Sequence, residues 1–218
     1  MSRLRKASRL WRDPARVAAA RRVFVPQDEA VFEMDPGVIF ARQAPVEIEI
    51  GAGRGDFIIA RAAAFPNRNF LAVELPGTVA QMLAARCGRA ELNNLRVIRM
   101  DARSMVNLFI PDQSVAAYHI YFPDPWPKDR HAKHRLFNPD FVRNLARTLK
   151  SDATVAIASD VREWADRMFT AMERDGFRRT KDSAPGAAMT GFGRKYITEG
   201  RPIYSAVYEL RRSNSQAD

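Results

Sequence analysis

The sequence predicts an α/β domain built on a doubly wound, mostly parallel sheet, and three observations carry that prediction. Short apolar or β-branched runs alternate with longer amphipathic ones from Val46 to Leu210, and such alternation means parallel strands joined by right-handed crossovers. A glycine-rich turn follows the first run directly. Acidic residues recur at the run ends: Glu49 within the first, then Glu74, Asp101 and Asp124 just past the next three, at intervals of 25, 27 and 23 residues. Each interval is one strand plus one helix. The periodicity belongs to the fold, but a carboxylate at every strand end does not follow from it. Ligands of open α/β sheets bind beyond the carboxyl ends of the strands.

The elements follow in order. Val46-Glu47-Ile48-Glu49-Ile50 is strand-like and ends at Gly51. A helix is predicted over 55–64, stopping before Pro66. Phe70-Leu71-Ala72-Val73 reads as a buried strand, and 78–87 as a helix closed by Gly88. Strands are predicted over 95–100 and 115–122, the second running into a proline-rich loop. Asn138-Pro139 is a helix start, with asparagine as cap and proline in the first turn, and that helix runs to about Lys150. A fifth strand covers 154–159. Asp160 is expected to cap a helix with Val161, Trp164, Ala165, Met168 and Met172 near helical spacing, closed by Gly176. The last strand is 203–210. No repeat or low-complexity linker interrupts this series, so the chain divides into a basic arm and lead-in over 1–40 and one domain over 41–218.

With 218 residues, 46% hydrophobic and 28% charged, the composition is that of a folded globular domain. No run approaches the ~18 apolar residues of a membrane span, which predicts a cytoplasmic protein without a membrane partner. Cys87 is the single cysteine, which excludes a disulfide framework and a cysteine zinc site. Two of the three histidines share one loop, and no metal is expected. The net charge is +10, concentrated in two places: residues 1–22 hold eight Arg or Lys against Asp13, and residues 128–150 hold seven against Asp129 and Asp140. Clustered bases on a near-neutral body point to a polyanion, most simply nucleic acid, held through phosphate contacts and counterion release. The Arg-rich arm is read as an RNA-touching or disordered segment ahead of an organellar transit peptide.

Gly51-Ala52-Gly53-Arg54-Gly55 is a tight turn between strand and helix, where glycine allows positive φ and close approach of a ligand. Its G-x-G-x-G spacing is neither the dinucleotide fingerprint nor a phosphate-binding P-loop. Glu74, ending the second strand, stands where a carboxylate accepts ribose hydroxyls. An NAD site would share Glu74 but leaves Asp101 and Asp124 unexplained. The turn and Glu74 together resemble the Rossmann-like, class I S-adenosylmethionine-dependent methyltransferases. The resemblance implies that residues Glu49 to Gly55 wrap the methionine part of the cofactor, Glu74 holds the ribose and Asp101 meets the adenine amine. A sulfonium cation suits so acidic a pocket.

Tyr121-Phe122-Pro123-Asp124-Pro125-Trp126-Pro127-Lys128-Asp129-Arg130-His131-Ala132-Lys133-His134-Arg135 follows the fourth strand. Its alternating prolines stiffen an extended loop that presents Asp124 and Trp126 and leads at once into bases. This block is similar to the signature of the tRNA (guanine-N7-)-methyltransferase family, FPDPWPK followed by R-H-x-K-R-R, with His134 where the family has Arg. The resemblance extends over about residues 44–209. It implies methyl transfer from S-adenosylmethionine to guanine 46 in the variable loop of tRNA, by a monomer or homodimer without a metal. Carried over residue by residue, Glu49, Gly51, Gly53, Gly55, Glu74, Asp101 and Asp124 bind the cofactor, with Asp124 also at the catalytic position. Lys128, Asp160 and Thr190 would contact the substrate, and Arg130, His131, Lys133, His134 and Arg135 would run along the RNA. The family's T-x-[F/Y]-E-x-[K/R] motif appears as Thr190-Gly191-Phe192-Gly193-Arg194-Lys195. Gly193 replaces the family's glutamate; if that loss weakens guanine reading, Gly193→Glu should raise activity or guanine preference, and no change would mean another group has taken over.

Guanine N7 carries a lone pair and is an acceptor, so the expected reaction needs alignment and charge stabilisation rather than a general base. Carboxylates such as Asp124 and Asp160 could also accept from guanine N1–H and N2–H. The alternatives are a non-catalytic RNA-binding protein on a methyltransferase fold, motivated by Gly193, and a methyltransferase for another RNA.

Overall fold

The computed structural model describes residues 13–25, 39–125 and 135–211. Seven strands form one sheet: β1 Val46–Ile50, β2 Asn69–Glu74, β3 Leu95–Arg99, β4 Val115–Tyr121, β5 Leu149–Ser159, β6 Phe177–Lys181 and β7 Tyr204–Leu210. Their order is β3-β2-β1-β4-β5-β7-β6. The first five are mutually parallel, and β7 runs antiparallel between β5 and β6. Among the described residues the helices are α1 Pro14–Val23, α2 Asp56–Ala64, α3 Gly77–Arg89, α4 Ala102–Ser104 with a π-helical turn Met105–Phe109, α5 Pro139–Thr148, α6 Arg162–Arg174, α7 Gly186–Met189 and α8 Gly191–Thr198.

Side chains alternate across each strand, and here both faces are covered. Phe70 and Ala72 enter a layer with Phe57, Ile58 and Leu83 of α2 and α3. Leu71 and Val73 enter the opposite layer with Met105, Val142, Leu145 and Met168. Burial on both faces is why these strands read as continuous apolar runs. The register aligns their ends: Ile50 lies opposite Val73 and Ile120, Val73 opposite Ile98, and Ile120 opposite Ile157. Gly51, Glu74, Phe122 and Asp160 therefore follow on one edge of the sheet.

Three local expectations change. Asp160 does not cap α6; the N-cap is Val161, whose amide donates to Ser159 Oγ at 3.1 Å. Gly88 does not close α3, which runs through to Arg89. A Cβ at Gly88 would lie 2.0 Å from the Ala19 carbonyl oxygen, so this glycine lets α1 lie backbone-close on α3. Finally, β6 went unread because only Phe177 of Phe-Arg-Arg-Thr-Lys is buried.

The second part of the basic arm is packed on the domain. Asp13 caps α1, Ala19, Ala20 and Val23 are buried, Arg21 is exposed, and Arg22 Nη2 donates to the Gly88 carbonyl at 3.3 Å. Beyond the helix, Phe24 bridges to Val97, and the Val25 amide donates to the Val97 carbonyl at 2.8 Å. Among the described residues no helix is long and apolar enough to cross a membrane.

Candidate active site

The glycine turn lies at the carboxyl end of β1, with Gly51, Gly53 and Gly55 at φ of 75°, 55° and 75°. Positive φ at three alternate positions is inexpensive only for glycine. The amides of Gly51 and Ala52 donate to the Val73 carbonyl, at 2.9 and 3.1 Å, and the Gly53 amide donates to Glu74 Oε2 at 2.8 Å. Glu74 Oε1 accepts from the Leu75 amide at 3.0 Å. The carboxylate ending β2 thus braces the turn it was expected to share a ligand with. Burial raises its pKa, and the charge of Asp124, which stands exposed three residues past the end of β4, adds to the rise.

Glu49 is 2% exposed and its Oε2 has no hydrogen-bond partner. Burial pushes its carboxyl well above the usual carboxylate range, and the neighbouring charge of Glu74 pushes it further. An unpartnered buried carboxylate oxygen is costly, and a cation or a hydrogen-bond donor would relieve it. The glycine turn, Glu49 and Glu74 therefore fit a ligand that brings positive charge and hydroxyls, as S-adenosylmethionine does.

Two residues earlier, Glu47 has the opposite character. It is fully buried but accepts from Arg61 Nε at 2.5 Å, Arg68 Nη1 at 2.8 Å and His119 Nε2 at 2.8 Å. Burial alone would raise its pKa; the bonds from His119 and Arg61 outweigh it and hold the carboxyl down at about 2. Burial keeps His119 neutral, against the pull of Glu47. With its proton on Nε2, His119 donates to Glu47 and accepts from the Tyr121 hydroxyl at 3.2 Å. Glu47 thus serves as a satisfied structural anion under the sheet.

Asp101 is engaged locally. It caps α4 through the Arg103 and Ser104 amides, at 2.9 and 3.3 Å, and pairs with the Arg103 guanidinium at 2.9 Å. That guanidinium holds its pKa below the usual value. Beside it opens a cavity of about 280 Å³ lined by Asp101, Ser104, Leu108, Asn138 and Phe141. Asp160 pairs with Arg201, whose guanidinium lies 4.2 Å from the centroid of the Tyr196 ring. Thr190 caps α8: its Oγ1 accepts from the Gly193 amide and donates to the Ala187 carbonyl, both at 2.9 Å. Its hydroxyl is thus used within the arm formed by α7 and α8. Arg135 lies 5.0 Å from the centroid of Trp164, and Arg167 lies 4.6 Å from the same ring. Lys128, Arg130, His131, Lys133 and His134 lie outside the described residues.

Gly193 overturns the expectation attached to it. A Cβ there would stand 1.9 Å from the Ala187 carbonyl oxygen, so α7 and α8 meet backbone to backbone and a glutamate has no room. Sequence reasoning also missed the cations that assemble the edge. Arg86 donates to the Arg54 carbonyl at 2.6 Å and to Asp56 Oδ1 at 2.9 Å, while Arg194 lies 3.3 Å from Asp56 Oδ2. One carboxylate thereby ties α3, the end of the glycine turn and α8 together. The position of Asp56 directly after the turn was a usable signal; nothing local marked Arg194 or Arg201, whose partners are distant in sequence.

A family model described as "Putative methyltransferase" matches residues 43–206. A tRNA (guanine-N(7)-)-methyltransferase of Halorhodospira halophila is 35% identical over 198 residues, spanning 87% of this chain and 84% of that protein. One from Psychromonas ingrahamii is 36% identical over 69% of this chain, which spans 62% of that protein's length. In fold, a SAM-dependent methyltransferase from Aquifex aeolicus aligns with 94% of this chain and 98% of its own, with a TM-score of 0.56 at 14% identity. Identity at this level, sustained over most of the chain, places the protein in the tRNA (guanine-N(7)-)-methyltransferase family.

Proposed function

We propose that this chain transfers the methyl group of S-adenosylmethionine to N7 of guanine 46 in the variable loop of tRNA, in the cytoplasm. The observation that carries the reading is the buried, unpartnered Glu49 oxygen behind a positive-φ glycine turn, on the edge that also holds Glu74 and Asp124. S-adenosylmethionine supplies an electrophilic methyl group on a sulfonium centre. Glu49 offsets positive charge in the pocket, and its ionisation becomes favourable when a cation sits beside it. Glu74 keeps lone pairs for ribose hydroxyls while bracing Gly53, and Asp101 stands at the place for the adenine amine. Asp124 and Asp160 accept from guanine N1–H and N2–H and stabilise the charge that N7 acquires on alkylation, which needs no base to remove a proton. The bases between Lys128 and Arg135 hold RNA phosphates. A base must leave its stack to reach such an edge, which suits a loop guanine.

The test is incubation with labelled S-adenosylmethionine and unmodified tRNA transcripts carrying G or A at position 46, followed by nucleoside analysis. 7-Methylguanosine from the G transcript alone is the expected result. Tight tRNA binding with no methylated nucleoside would replace this reading with that of a binding protein.

A further inference from the structure

We infer that Phe192, backed by Tyr196, is the stacking surface for the guanine that receives the methyl group. This rests on the tRNA methyl-transfer reading and names the side chains that hold the base. Phe192 is 55% exposed, and its ring stacks on Tyr196 at 5.9 Å and 24°. Phe122 closes the inner side, 5.3 Å from Tyr196 and 6.5 Å from Phe192 between centroids. It does so at a φ of 54°, a left-handed conformation that a bulky residue holds only where its surroundings enforce it. Its amide donates to the Ala158 carbonyl at 2.8 Å. Two residues on stands Asp124. On the other flank Arg201 covers Tyr196 and pairs with Asp160. A continuous surface thus links the Asp124 loop, an exposed aromatic face and Asp160.

That combination matches a purine. Splayed-out bases stack on aromatic side chains, while carboxylates accept from N–H groups on a guanine edge. The arm is rigid enough to present the ring, since Thr190 caps α8, Gly193 seats it on α7 and Arg194 ties it to Asp56. Lys195 lies 6.0 Å from the Tyr196 ring and 3.8 Å from Glu199.

The test compares Phe192→Leu, Phe192→Tyr and Phe192→Trp with the parent enzyme. Base–aromatic stacking predicts that Phe192→Leu loses about tenfold or more in kcat/KM for tRNA, with melting and cofactor affinity unchanged, while Phe192→Tyr stays within about threefold of the parent. In Phe192→Trp, the fluorescence of the added indole should be quenched on titration with the G transcript beyond any change in the parent. A transcript abasic at the target nucleotide should abolish that extra quenching. Parental kcat/KM in Phe192→Leu, or equal quenching by the abasic transcript, would overturn this inference and leave the reaction standing. So would a dimer in the parent that Phe192→Leu dissociates without loss of methylation, which would give the patch to a second copy. Absence of 7-methylguanosine with the parent enzyme would remove both readings.

Discussion

Gly193→Ala isolates the packing on which the α7–α8 arm depends. The added Cβ would lie 1.9 Å from the Ala187 carbonyl oxygen, 2.8 Å from its carbon and 2.9 Å from Ala188 Cα. All three are backbone atoms. The struck carbonyl is already held by the Thr190 hydroxyl at 2.9 Å and the Thr190 amide at 3.3 Å, and α7 is anchored upstream by the Ala184 amide on Ser205 Oγ at 2.9 Å. Relief therefore requires α7 and α8 to separate, which breaks the cap or lifts Phe192 and Arg194 from their contacts. Overpacking costs about 1–3 kcal/mol, and a clash with pinned backbone belongs at the upper end. Alanine's helix preference over glycine returns at most about 1 kcal/mol, leaving a net loss of about 2 kcal/mol. For a chain of this size that lowers Tm by about 4–8 °C. A thermal melt followed by circular dichroism reads the stability, and single-turnover methylation of tRNA reads the arm. Methylation should fall with Tm in Gly193→Ala and be lost in Gly193→Glu. Parental melting and activity in Gly193→Ala would refute the steric argument. Raised activity in Gly193→Glu would show that the arm opens freely and that the missing carboxylate is what limits the enzyme.

Three further outcomes follow from the site. Asp124→Asn should lower turnover by at least about tenfold, on the order of 1.4 kcal/mol, with unchanged melting, since Asp124 is exposed; near-normal turnover would remove it from the chemistry. Glu49→Gln should have a pH signature in the ligand-free protein. The folded-state pKa of Glu49 is raised, so its stabilising contribution is complete below its unfolded value and is lost as pH rises through the folded one. The variant should therefore gain stability over the parent as pH climbs above about 4.5 and should bind S-adenosylmethionine more weakly, both measurable by pH-dependent melting with and without the cofactor. Glu47→Gln carries the opposite sign. The folded pKa of Glu47 is depressed to about 2 from 4.5, so the parent should lose stability between those values on acidification in urea titrations and the variant should lose less. A parental acid limb in Glu47→Gln would mean that its ion pairs contribute nothing net.

Much of the fold was legible because burial imposes a pattern on the residues themselves. The runs in β1 to β4 could be read since both faces of those strands are covered, and β6 could not, because four of its five residues are not buried. The short α7 and α8 were missed because Gly-Ala-Ala-Met and a glycine-interrupted octapeptide carry too little helical periodicity. The glycine turn and the acids at 49, 74, 101 and 124 were equally visible, since a tight turn and a strand end are local features. What local features do not reveal is how each acid is used. Glu47 and Glu49 are the same residue type on the same strand, yet one accepts from two guanidinium groups and an imidazole and the other has an oxygen with no partner; only the approach of Arg61, Arg68 and His119 from other elements separates them.

The amino-acid pattern alone therefore determined the layered α/β class, the strand ends that carry the acidic residues and the family signature at Phe122–Lys128, because each depends on residues within one strand-to-helix unit. The meanings of Gly88, Gly193, Asp160 and Asp56 came from the folded chain. A Cβ at Gly88 meets Ala19 and one at Gly193 meets Ala187, while Asp160 finds Arg201 and Asp56 finds Arg86 and Arg194. Steric exclusion and ion pairing act through space at a few ångströms, and folding brings together partners that the sequence holds apart.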